Sequence, residues 1–253
     1  MMHLVISLIV FACVFGSAVV GLFFHKWLPE HHFSEDSINA IKLATGLIAT
    51  IAALVLGLLI SSAKGSFDTV NSDLVRNAVN IIRLDGTLEQ YGPQTQDLRV
   101  QLKHNYSTWI DLLGSSDSAK LAKLDSASAV GQIKVFEGEL AQLSPSTTAQ
   151  AQLQTRALQI SDDVFAARWL ALMQKRGSIP MPLLVVLIFW LSIIFGTFGL
   201  FAPHNGTVIF FFLLCALSAS GAIFLILEMD TPLDGVIKIS VAPMREALQH
   251  LGP

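Results

Sequence analysis

The chain has 253 residues, of which 53% are hydrophobic and only 14% charged, against about 25% charged in an average soluble domain. Its formal net charge of -3 is too small to imply a strongly acidic or basic partner. The segment from Lys64 to Arg176 carries 12 basic and 12 acidic residues, so no nucleic-acid footprint is expected.

The gaps between charges set the architecture. Leu4 to Phe24 contains no charge, nor does Leu43 to Ala63, and Gly177 to Leu227 runs 51 residues without Asp, Glu, Lys or Arg. A helix rises about 1.5 Å per residue and hydrocarbon is about 30 Å thick, so one crossing needs about 20 apolar residues. The first two gaps hold one span each and the third holds two. Span one is expected at Leu4–Phe24. It is longer than a signal-peptide core and has no Lys or Arg before it, so it reads as a retained span. Trp27 follows at headgroup level, and a polar loop from His25 to Ala40 leads to span two, Ile41–Ser62. Span three begins at Pro180 or Pro182, where a missing N–H is harmless in a first helical turn, and runs to Phe201. Residues Ala202 to Gly206 form a turn, and span four covers Thr207–Leu227.

Between spans two and three the periodicity is helical. Phe67, Val70, Leu74, Ala78, Ile81, Leu84 and Leu88 recur at three- and four-residue steps, as do Leu98, Leu102, Tyr106, Trp109 and Leu113. A third set is Ile133, Phe136, Leu140 and Leu143, and a fourth is Leu153, Ala157, Ile160, Val164, Ala167 and Ala171. Each set puts an apolar stripe on one helix face. Tyr91-Gly92-Pro93 and Leu143-Ser144-Pro145-Ser146 break the helices, and Gly114-Ser115-Ser116 and Asp125-Ser126 do so more weakly. Only Gly65 stands between span two and the first of these helices, so span two is free to continue as one helix as far as Leu88. The stripes must be buried either within one subunit or, through the 4-3 spacing of the last set, between subunits.

The expected fold is therefore an all-α membrane protein with four transmembrane helices and a helical cytoplasmic domain inserted between helices 2 and 3. Its parts are an N-terminal transmembrane pair (1–63), the helical domain (64–176), a C-terminal transmembrane pair (177–227) and a cytoplasmic tail (228–253). Four spans place both termini and the helical domain on one side. Near the span ends that side carries Lys64, Arg76, Arg168, Lys175, Arg176, Lys238 and Arg245, against Lys26 and Lys42 on the other. The positive-inside bias makes the first side cytoplasmic.

No Walker loop, dinucleotide fingerprint, nucleophile elbow or His-Glu-x-x-His helix is present, so neither an enzyme nor a cofactor is expected. Span two carries the most informative pattern. Gly46, Thr50, Ala53, Gly57 and Ser61 form a small, slightly polar stripe, and Lys64 continues that face just outside. Two readings stand for it: close helix packing, or a pore face with Lys64 at the entrance. The spans hold no buried carboxylate, Lys or Arg, which disfavours a coupled carrier and leaves a passive pore. Cys13 and Cys215 both fall within spans, which fits small buried residues and no disulfide. His25, Glu30, His31 and His32 in the first outer loop read as solvated residues, with no metal site expected. After span four, Glu228, Asp230 and Asp234 read either as turn residues at the membrane exit or as an acidic cluster that binds a cation.

The exit segment carries a resemblance. Asp230, Pro232, Gly235 and Ser240 form an Asp-x-Pro-x-x-Gly element followed by an apolar stretch and Ser. With two spans on either side of a helical domain, this resembles the bestrophin-like family. The resemblance implies a homo-oligomeric channel for small inorganic ions in the lipid bilayer of a bacterial cytoplasmic membrane. Bestrophins themselves are pentameric anion channels with pores lined by their second spans. The chain departs from them in having no run of aromatic residues in span two and no full calcium-clasp motif. A membrane-anchored helical sensor or scaffold that binds a protein partner is the alternative expectation.

Overall fold

The computed structural model describes residues 2–24, 34–115, 127–173, 179–233 and 235–252, with the backbone alone for 127–130 and 171–173. Among the described residues every regular element is helical: α1 (Met2–Phe24), α2 (Glu35–Tyr91), a 3-10 turn (Pro93–Thr95), α3 (Gln96–Gly114), α4 (Ala127–Ala141), α5 (Thr148–Met173), α6 (Met181–Phe201), α7 (Gly206–Asp230) and α8 (Ala242–His250). α1, α2, α6 and α7 are long and apolar enough to cross a membrane. α2 runs unbroken through Gly65 and ends at Tyr91, where Gly92 takes a φ of 126° and Pro93 follows. That φ suits glycine alone, and proline cannot continue the hydrogen-bond ladder.

The chain forms two compact units. The first comprises Met1–Ser66 and Gly177–Asp230, and the second Phe67–Arg176 and Thr231–Pro253.

In the first unit α1 packs against α6 and α7. Val10, Val14, Ala52, Leu59, Leu187, Ile194 and Ile223 are among its buried side chains. Lipid tails are as apolar as these residues, so cohesion comes from close packing rather than from escape from water. Gly21 and Gly199 make the closest approach. A Cβ on Gly21 would run into the Gly196 carbonyl, and one on Gly199 into the Ala18 carbonyl.

The second unit is held by ordinary hydrophobic burial. Val70, Leu74, Ile81, Leu84 and Leu88 of α2 meet Leu102, Tyr106 and Trp109 of α3, Phe136 and Leu140 of α4, and Ala157, Ile160 and Val164 of α5. Ala157, Ile160 and Val164 of the α5 stripe are thus buried within the chain and Leu153 and Ala167 are half-buried, while the Ala171 side chain lies outside the described residues. Gln154 Nε2, with two N–H groups, lies within hydrogen-bond reach of the carbonyls of Leu140 and Ala141 at the end of α4 and of Leu143 just beyond it, and so serves carbonyls that the helix leaves open.

The segment after α7 also belongs to this unit. Leu233, Ile239, Met244, Ala247 and Leu251 lie in its core, and α8 packs on α3. The sequence reading had assigned no helix there.

Candidate functional site

The α2 stripe is the first candidate. In the first unit α2 buries Thr45, Ala52, Leu59 and Ala63. Gly46, Thr50, Ala53, Gly57, Ser61 and Lys64 all lie on uncovered faces. Thr50 Oγ1 donates to the Gly46 carbonyl at 2.9 Å, a bond internal to the helix. A Cβ built on Gly46 or Gly57 meets nothing within 4 Å. The small residues of this stripe therefore do not serve helix packing inside the subunit, although Ala52 and Ala63 on the opposite face do. That role belongs to Gly21 and Gly199, and the sequence reading missed both. The available signal was the pair Gly196-x-x-Gly199 opposite Ser17-x-x-x-Gly21, small residues at helical spacing.

α2 also exposes a row of large residues beside the stripe. Leu43 is 79% exposed and Leu47 and Leu54 are each 65% exposed. At about 100° of turn per residue this row and the small-residue stripe sit on adjacent faces. A single subunit covers neither.

The acidic exit residues have protein partners. Glu228, 3% exposed, lies with its Oε1 3.0 Å from His3 Nδ1 at the start of α1. Asp230 Oδ2 accepts from the Ile179 N–H at 3.2 Å, just before α6. These two contacts bring the start of α1, the approach to α6 and the end of α7 to one end of the first unit. Asp234 lies outside the described residues, as do His25, Glu30, His31 and His32. Among the described residues no group of three or more His, Cys, Asp or Glu is placed to hold a metal.

In the family-like element, the Ile239 N–H donates to the Pro232 carbonyl at 3.4 Å and the Ala242 N–H to Ser240 Oγ at 3.2 Å. The first contact closes the loop and the second supports the start of α8. Leu233 and Ile239 are buried on either side of Gly235.

A charged cluster went unread in the sequence. Arg99 donates to Asp85 through Nε at 2.8 Å and Nη2 at 2.9 Å, and the Gly252 N–H reaches Asp85 Oδ2 at 3.1 Å. Lys103 Nζ donates to the carbonyls of Leu251 and Gly252. Burial pushes the Asp85 carboxyl up, but the hydrogen bonds from Arg99 and Gly252 and the charges of Arg99 and Lys103 outweigh it and hold the carboxyl below its usual range. The cluster clamps the chain's last residues onto α2 and α3. Asp85 stands amid the apolar set Ile81, Leu84 and Leu88, but the partner 14 residues on leaves no periodic trace.

The bestrophin-like domain model matches residues 11–244. Two crystal structures of a bacterial bestrophin homologue from Klebsiella pneumoniae, each carrying one substitution, share the fold. Each covers 96% of this chain and 97% of that chain, one with a TM-score of 0.65 at 11% identity and the other with 0.64 at 12%. No curated protein matches the chain in sequence. The family match over nearly the whole length, the shared fold and the four membrane-spanning candidates agree, and the chain belongs to the bestrophin-like family.

Proposed function

We propose that this protein is a homo-oligomeric, passive ion channel of a bacterial cytoplasmic membrane. The carrying observation is the uncovered face of α2. Apolar side chains close the interior of the first unit, so ions need a path between copies. α2 offers that path a surface free of its own subunit's side chains at Gly46 and Gly57. In this reading Gly46, Thr50, Ala53, Gly57 and Ser61 line the pore, where small side chains leave width and hydroxyls replace part of an ion's hydration. Lys64 shapes the field at the cytoplasmic entrance and favours anions.

The helical domain inserted between the second and third spans is cytoplasmic together with both termini, as the distribution of basic residues supports. Family membership supports the channel reading, because bestrophins conduct ions.

The test is purified protein reconstituted in planar bilayers. Single-channel current is expected, with a reversal potential in a chloride gradient that shifts toward the chloride potential. Protein shown to be folded and oligomeric, yet electrically silent, would refute the proposal.

A further inference from the structure

The second unit contains a cavity where α2, α3, α4 and α5 meet. Asn77, Tyr106 and Trp109 line it and are 0%, 3% and 4% exposed. Asn77 Oδ1, the Tyr106 hydroxyl and Trp109 Nε1 are buried and have no hydrogen-bond partner among the described residues. Folded proteins leave few buried polar atoms unpaired, so three around one cavity mark a place suited to an occupant. The Asn77 amide is fixed in orientation, because its Nδ2 donates to the Val164 carbonyl at 2.9 Å. That leaves Oδ1 as a committed acceptor. Trp109 Nε1 can only donate, and the Tyr106 hydroxyl can do either. Burial pushes the Tyr106 phenol up, so it stays a neutral hydroxyl at physiological pH.

The other walls narrow the chemistry. Phe136 and Phe165 meet edge to face, with centroids 6.4 Å apart, and offer apolar contact. No carboxylate lines the cavity among the described residues, so a cation has no counter-charge there. Arg168 lies 5.8 Å from the centre of the Trp109 ring, where the cation is engaged with the aromatic face. The cavity volume is about 40 Å³, on a scale where one water needs about 10–15 Å³ and a cavity that holds benzene has roughly 150 Å³, so it has room for a few non-hydrogen atoms.

We infer that this cavity is a binding site for a small uncharged molecule with a hydroxyl or amide group. Its oxygen accepts from Trp109 Nε1 and the Tyr106 hydroxyl, its O–H or N–H donates to Asn77 Oδ1, and its carbon atoms lie against Phe136 and Phe165. Because four helices supply the walls, the occupant ties α2 to the rest of the second unit.

The test uses the full-length protein in detergent with 15N-labelled tryptophan indoles, titrated with acetamide and, separately, ethanol. The chain has four tryptophans, and Trp109→Phe assigns the resonance of interest. The Trp109 indole N–H resonance is expected to shift saturably, while those of Trp27, Trp169 and Trp190 drift linearly with solvent composition. Asn77→Leu removes the acceptor and should weaken saturation at least tenfold. Tyr106→Phe, a gentler change that keeps the ring, should weaken it several-fold and covers the case in which Asn77→Leu does not fold. A Trp109 resonance that stays still or drifts linearly with both probes would overturn the inference. So would unchanged saturation in Tyr106→Phe together with density for water alone in a structure determined with acetamide.

Discussion

Replacing Asp85 with Asn probes the clamp on the chain's last residues. Asp85 accepts three hydrogen bonds, two from Arg99 at 2.8 and 2.9 Å and one from the Gly252 N–H at 3.1 Å. Asn keeps one acceptor oxygen and turns a donating NH2 toward groups that also donate. It also leaves the guanidinium, whose side chain is 10% exposed, without its main counter-charge. Breaking a buried pair by removing one partner costs about 3–5 kcal/mol. Glu89, 3.5 Å from Arg99 Nη1, retains part of the compensation, which points to about 3 kcal/mol. At about 2–4 °C per kcal/mol for a chain of this size, the melting temperature should fall by about 6–12 °C. Amide exchange across 242–252 should accelerate as the clamp opens. The sign with pH follows from the depressed Asp85 carboxyl. Its contribution is complete above the unfolded carboxylate value of about 3.9 and is lost as pH falls through the lower folded value. The gap between wild type and variant should therefore close in strong acid. A neutral-pH melting temperature within about 2 °C of wild type, with unchanged exchange across 242–252, would refute this account of the clamp.

Other substitutions test other parts of the fold. Gly199→Ala places a Cβ against the Ala18 carbonyl, so α1 and α6 must separate; detergent-solubilised protein should lose yield and melt at lower temperature. Gly57→Leu has open space in the subunit, so it should melt no lower than wild type while changing single-channel conductance; a destabilised variant would show that another part of the chain covers this face. Burial raises the Glu137 carboxyl and Asp162 raises it further by repulsion. The charged form is thus disfavoured on folding, and stability falls as pH rises through the raised value. Glu137→Gln should melt slightly higher than wild type at pH 7, and the difference should vanish near pH 4.

The spans and the helical character of the middle segment were legible because both follow from local rules. Hydrocarbon solvates charge poorly, so the uncharged stretches mark α1, α2, α6 and α7. The three-to-four spacing of Leu74, Ile81 and Leu88 marks a buried face wherever the helix packs. α2 continued past Gly65 because one glycine costs a helix only about 1 kcal/mol. What stayed hidden depends on partners distant in sequence. His3 meets Glu228, Asp85 meets Arg99 and Gly252, and Gly21 meets Gly196, pairs set by tertiary approach. α8 has nine residues, too few for its stripe to stand out before its burial against α3 was known. The α2 stripe was visible in the sequence with two readings, and its exposure in the subunit disfavours packing against its own helices.

The most direct measurement is single-channel recording of reconstituted Ser61→Cys before and after modification by a charged, membrane-impermeant methanethiosulfonate reagent. With Cys13 and Cys215 both replaced by Ala, the background carries no other thiol. If α2 turns this face to an ion path, modification changes the conductance within the open-channel record, and reagents of opposite charge move it in opposite directions. Conductance that stays unchanged when mass spectrometry shows complete modification of residue 61 would contradict the placement of α2 at the pore.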